Sequence, residues 1–255
     1  MDAQWISMLI SFVTGALTGA LVTYFRHWLA RRREAESREF AKVQETERVR
    51  REHYARALGY QKTRDSLRGC DLDGQDLGGV HLAKADLQRA NLSNADLSNA
   101  NLEEANLIGA DLQEANLAGA SLAKAALGDA NMQGADLRSA RLSGANLGGA
   151  DLRAAQLDDT IMKGASLQWA DLQGASLESA DLKEADLAEA DIRQTNLARA
   201  SLKEANLTGA KLQGAKLKGA NLKEARLEGA HLKGAKLDSS TILPKGWEDS
   251  VASKP

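Results

Sequence analysis

Residues 85–109 read ADLQR ANLSN ADLSN ANLEE ANLIG. The same phrase of Ala, then Asp or Asn, then Leu, then two variable positions extends in both directions, as in Ala205-Asn206-Leu207-Thr208-Gly209. From about Leu67 to Ile242 every fifth residue is Leu, with Met132, Met162, Ile192 and Ile242 standing in at that phase. A spacing of five matches neither the roughly 3.6 residues of a helical turn nor the roughly 2 of a strand, so no amphipathic helix or flat sheet gathers these leucines on one face. The chain must turn a corner every five residues, and the register is expected to run to Ile242 without a slip.

The residues around the Leu are suited to that corner. Asp and Asn bond nearby backbone groups, and the Gly or Ser often found two residues after the Leu favours a turn, Gly because it tolerates positive φ. Each pentapeptide then supplies a short extended side and a turn. Four sides close a coil of about 20 residues, and coils stack at the strand spacing of about 4.8 Å. Leu as the large residue and Ala as the small one fill a narrow tube at native density. Between Ala85 and Ala235 the small position departs from Ala only at Thr160 and Thr195, whose hydroxyls are expected to bond neighbouring carbonyls.

This pattern closely resembles the pentapeptide-repeat family. The resemblance implies an all-β solenoid, a right-handed quadrilateral β-helix in which the central Leu and the Ala two before it point inward. It also implies function classes. Some members resemble duplex DNA and bind type II topoisomerases, conferring quinolone resistance, and aromatic residues at central positions help to form their dimer end. No Phe occupies a central position here.

Composition agrees with a stacked solenoid, since aromatic residues make up 4% of the chain and Pro occurs twice. A single cysteine, Cys70, excludes an internal disulfide framework and falls on the inward phase, where a buried inert thiol is expected. His27, His53, His81 and His231 show no metal-ligand spacing. There is no phosphate loop, nucleophile elbow or convergent catalytic set, so the chain reads as a non-enzyme that takes no cofactor.

The start of the chain has a different character. From Trp5 to Phe25 there is no charged residue, and a helix of that length, at about 1.5 Å per residue, just crosses a hydrocarbon core of about 30 Å. Trp5, Tyr24 and Trp28 stand where interfacial aromatics belong, and the leader Met1-Asp2-Ala3-Gln4 lacks the Lys or Arg of a cleaved signal peptide. Arg26, Arg31, Arg32 and Arg33 follow the span and also suit anionic lipid headgroups. By the positive-inside rule the N-terminus lies outside and the repeats lie in the cytoplasm of a membrane, taken as the bacterial inner membrane because the family is most abundant in bacteria. Ser11, Gly15 and Gly19 make a small-xxx-small face suited to helix pairing and a homodimer.

The expected organisation is therefore a transmembrane anchor at 1–29, a charged juxtamembrane helix serving as stalk and N-terminal cap at 30–66, the β-helix at 67–242, and a C-terminal cap and tail at 243–255. Leu243-Pro244-Lys245-Gly246-Trp247 is expected to close the tube, and residues 248–255 to fray. Function then belongs to the outer walls, where residues about 20 apart stack in columns. One column runs Lys163, Lys183, Lys203, Lys223 beside Glu184, Glu204, Glu224, where mutual neutralisation competes with partner binding. Asp151, Asp171 and Asp191 form an anionic column, and Trp169 is the large outward aromatic. The coils up to about Asp191 are acidic and those from Arg193 to Lys236 basic. Two readings follow: a membrane-tethered scaffold that presents a rigid rod to a protein partner, and, as the alternative, a DNA-mimicking binder of a type II topoisomerase. Direct nucleic-acid binding is not expected.

Overall fold

In the computed structural model of the chain, the backbone is described for residues 3–247 and the side chains for residues 27–28 and 30–247. One helix, α1, spans Ala3–Thr63 without interruption. Two compact units divide the chain between Val49 and Arg50.

In the first unit α1 is held by its own surface pairs. Arg32 bonds Glu36 at 2.9 Å and Arg48 bonds Glu45 at 2.6 Å, while Phe40 and Val43 remain exposed. Among the described residues no helix is long and apolar enough to cross a membrane. The side chains of residues 5–25, on which the expected span rests, and of Ser11, Gly15 and Gly19 lie outside the described residues, as do residues 248–255.

The second unit is a coil of pentapeptides stacked with parallel bridges at a constant offset of 20 residues, from Asp71↔Asn91 and Asp76↔Asp96 to Lys216↔Lys236. Four such ladders make four walls. The first contains the pentapeptides centred on Leu72 to Leu232, the second Leu77 to Leu237, the third Leu82 to Leu222, and the fourth Leu67 to Leu227. The axis is mostly Leu and Ala, with Met132, Met162 and Ile192 at central positions, almost all of it fully buried.

The pentapeptide around Leu97 shows why the sequence takes this form. Ala95 N–H donates to Leu92 O within the turn at 3.1 Å, Asp96 N–H to Gln75 O of the coil below at 2.9 Å, and Leu97 and Asn99 N–H to Asn116 O and Ala118 O of the coil above at 2.7 and 2.9 Å. The remaining donor, Ser98 N–H, is taken by Asp96 Oδ1 at 2.9 Å. Every amide is satisfied, and the Asp or Asn before the Leu is there for the fifth of them. The turn also requires a left-handed residue. From Gly69 to Gly234, every residue two after the central position has φ between +55° and +71°, whether it is Gly or not. Thr160 and Thr195 are buried, and their hydroxyls donate to Leu157 O at 2.7 Å and Leu172 O at 2.8 Å.

The last turns of α1 from Arg50 onward cover the open first coil. His53 Nδ1 accepts Asp71 N–H at 3.0 Å, the Tyr54 hydroxyl donates to Asp76 O at 3.0 Å, and Arg64 donates to Ala83 O at 3.3 Å. These are rungs with no coil beneath them. Ala57 and Tyr60 bury their side chains against the same end, and the thiol of Cys70 is buried there, with burial pushing its pKa up.

At the other end the expected register fails by one residue. Ile242 does not take the inward place of a central Leu: it pairs with Asn221, Leu222 N–H donates to Ile242 O at 2.7 Å, and its side chain is 49% exposed. The cause is the turn built around Asp238. Its Oδ1 accepts Gly219 N–H and Ser240 N–H at 3.1 Å each and the Ser240 hydroxyl at 2.7 Å, and the loop they close is one residue longer than a repeat turn. Leu243 and Trp247 then pack, partly buried, against the last coil.

Three outcomes follow. Leu147→Asp puts a carboxylate into a dry tube and should cost several kcal/mol, read as a large fall in the circular-dichroism melting temperature. An unchanged melt would contradict the inward placement of Leu147. Ala154, at φ 56°, sits in the left-handed region without being glycine, and Ala154→Gly should raise stability by about 0.5–1 kcal/mol in denaturant titration. The Asp238 carboxyl is held at about 2, below its usual 3.8, chiefly by the Ser240 hydroxyl and then by Gly219 N–H and Thr241. Because the folded value lies below the unfolded one, this stabilisation is complete above about pH 4 and is lost as pH falls through about 2. Melting temperature should fall over that interval, and less steeply for Asp238→Asn.

Candidate partner-binding surface

The outward positions of each pentapeptide are the residue before the Leu and the two after it. At the 20-residue offset they stack into the columns expected from the sequence. On the third wall the lysine ladder meets its carboxylates. Lys163 Nζ lies 3.2 Å from Glu184, Lys183 3.3 Å from Asp181, Lys203 2.8 Å from Glu204 and Lys223 3.4 Å from Glu224. The Glu204 hydrogen bond holds Lys203 above the usual lysine value, and Lys203 holds Glu204 below the usual carboxylate value. These four lysines therefore spend their charge within the wall.

The expected anionic column on the first wall is likewise offset. Arg153 bonds Asp151 at 2.5 Å and reaches Asp171 at 3.8 Å, while Arg193 bonds Asp191 at 2.7 Å. Hydrogen bonds from Arg153 lower the Asp151 carboxyl. At Asp191 burial acts upward, and the side-chain and backbone hydrogen bonds of Arg193 with the charges of Arg193 and Lys211 outweigh it, leaving the carboxyl lowered. Each Asp also accepts the N–H two residues on, at 3.1, 3.0 and 3.3 Å, so these residues serve the turn as well as the wall.

The fourth wall differs. Trp169 stands outward, 68% exposed, at φ 62°. Ile108 on the same wall is 43% exposed, and the outward positions between them include Ala126, Gly128, Gly148 and Gly149, with Asp129 the one charged residue. The result is a nearly uncharged strip with an apolar side chain at each end. The periodicity already places Ile108 one residue after a central Leu, and Ile161, 43% exposed on the third wall, one residue before a central Met. Their outward phase is the signal that could have identified both.

Among the described residues no group of His, Cys, Asp and Glu could hold a metal ion. A cleft at the register slip, lined by Lys223, Glu224, Ile242, Leu243, Pro244 and Lys245, brings together no nucleophile and base.

No curated protein matches the chain in sequence. The chain is similar to HetL, a pentapeptide repeat protein involved in heterocyst differentiation regulation from the cyanobacterium Nostoc sp. strain PCC 7120, with 34% identity over 72% of this chain and 92% of that one and a TM-score of 0.44. It is also similar to the pentapeptide repeat protein Rfr23 from the cyanobacterium Cyanothece 51142, at 38% identity over 42% of this chain and 63% of that one, TM-score 0.27. QnrB1, a plasmid-mediated fluoroquinolone resistance protein, aligns at 18% identity over 66% of this chain and 90% of that one, TM-score 0.41. The description of the pentapeptide repeats matches residues 66–239 in overlapping copies. The chain belongs to the pentapeptide-repeat family.

Proposed function

We propose that this chain is a non-enzymatic scaffold, tethered to a membrane by residues 1–29 and presenting its coils to a protein partner. The observation that carries the partner-binding reading is Trp169, 68% exposed at the end of a nearly uncharged strip of the fourth wall. Exposed tryptophans on rigid backbone are favoured anchors of protein interfaces, because they bury a large area at little entropic cost. The tethering rests on the uncharged run from Trp5 to Phe25 and on Arg26, Arg31, Arg32 and Arg33 beyond it. In this reading the topology is single-pass, with the N-terminus outside and the repeats in the cytoplasm of the bacterial inner membrane. Residues 30–66 act as stalk and cap, and 243–255 as the closing segment.

The mimicry of duplex DNA ranks behind it. That role needs an unbroken negative surface, and here Arg138, Arg153 and Arg193 are paired into the acidic coils while Lys211, Lys216, Lys218 and Lys236 end the array with positive charge.

Crosslinking with affinity capture from native membranes tests both parts. The full chain should recover a protein partner, Trp169→Ala should reduce recovery at least tenfold with an unchanged melt, and a chain lacking residues 1–29 should lose it. Undiminished recovery by Trp169→Ala would remove the fourth wall from the interface. Recovery of a topoisomerase with and without the first 29 residues would place the mimic first.

A further inference from the structure

The second wall carries a charge pattern that the functional reading above does not use. The residues preceding each central Leu on this wall start with Asp76 and Asp96, pass through Asn116, Asp136 (paired with Arg138) and Gln156 at the middle coil, and finish with Ser176, Asn196, Lys216 and Lys236, all in one parallel ladder at constant offset. Asp76, Asp96, Lys216 and Lys236 have no ion-pair partner among the described residues, in contrast to the lysines of the third wall. Lys216 stacks directly on Lys236 and Asp76 on Asp96, and like charges about 4.8 Å apart repel.

We propose that the second wall is the interface of a dimer in which two copies of this chain lie side by side and antiparallel, with a two-fold axis at Gln156. An axis lying in the wall along the direction of its extended segments sets each column against itself with the coil order reversed. Asp76 then faces Lys236 of the second copy and Asp96 faces Lys216, each pair occurring twice. In the next column Arg138 faces Glu178 on either side of the axis, and one coil further out the uncharged Ala118 meets Ala198. The like-charged stacks of the single chain become alternating opposite charges. Parallel pairing would set each stack against its own sign. The first wall under the same operation sets Asp111 against Asp191, so the complementarity belongs to the second wall.

The axis also brings two copies of Asp158 and Asp159 together. Asp158 is occupied by the Ser176 hydroxyl at 2.5 Å and Glu178 N–H at 2.8 Å. Those neutral donors leave its charge in place, so Asp158 on the axis and Asp159 at the turn are the repulsive elements of the interface. A flat wall about 38 Å long, joined largely by exposed ion pairs, gives a weak association that salt disperses.

The test uses the full chain in a non-ionic detergent at low ionic strength, followed by sedimentation velocity. A dimer should form and should dissociate as salt is raised. Lys216→Glu with Lys236→Glu should weaken it at least tenfold, as should Asp76→Lys with Asp96→Lys. Combining all four substitutions should restore it, and Asp159→Asn should tighten it. Circular dichroism checks that each variant is folded. Under oxidation, Asp76→Cys mixed with Lys236→Cys should give a linked dimer and Asp76→Cys alone none; Cys70 is buried and does not interfere. A chain that stays monomeric, a dimer indifferent to either charge reversal, an Asp76→Cys chain that links to itself, or a ladder of higher oligomers would each overturn the proposal. It does not depend on the tethering reading.

Discussion

The ladder of hydrogen bonds from coil to coil is the constraint on which the rest of this structure depends. Each pentapeptide must give amides to the coils above and below and close a corner in only five residues. Here that is met by a large inward residue, nearly always Leu, a small one, nearly always Ala, and a left-handed residue in every turn. The core is the consequence of this arithmetic rather than an independent feature. Leu and Ala fill a tube whose width the backbone has already set. The two termini of the array are where the arithmetic has no continuation, and there the chain substitutes side chains for missing backbone: His53, Tyr54 and Arg64 at one end, Asp238 and its hydroxyl partners at the other.

Because every coil repeats the same bonds, the strain of the fold is spread widely. Glutamate, arginine, serine and even Trp169 occupy positive φ alongside the glycines. Each such residue costs a little, and the ladder around it holds the conformation. This tolerance is what leaves the outer positions free to vary, and it explains why the walls differ so much: one neutralised lysine by lysine, one acidic but bracketed by arginines, one with a nearly uncharged middle strip, and one graded from acid to base.

Most of the fold was legible in the sequence, because the period of five admits one way of turning corners and the phase of each residue then follows. The inward threonines, the buried Cys70 and the covering helix end are readable on the same basis. Ile242 was not. It keeps the count of five, but the residue two before it is Ser240, and Asp238 draws that hydroxyl, Gly219 N–H and Thr241 into a longer turn. Counting alone does not see a competing hydrogen-bond acceptor. The charge ladders were legible as columns and not as pairings. Lys163 reaches into the next coil for Glu184, whereas Lys203 and Lys223 turn to the glutamate beside them and Lys183 to Asp181. That choice is made by rotamers, on which periodicity is silent.

The offset of 20 residues between stacked positions also limits how such a chain can change length in evolution. Gaining or losing a single pentapeptide leaves the axis filled and the ladder intact, and the core would register no error. Yet every residue beyond that point moves round by a quarter of the circumference, so each column is joined to the wrong neighbour. Only a block of four pentapeptides lengthens the rod and keeps its faces. A gene for this fold can therefore drift by fives where its walls carry no information, and must duplicate by twenties where they do.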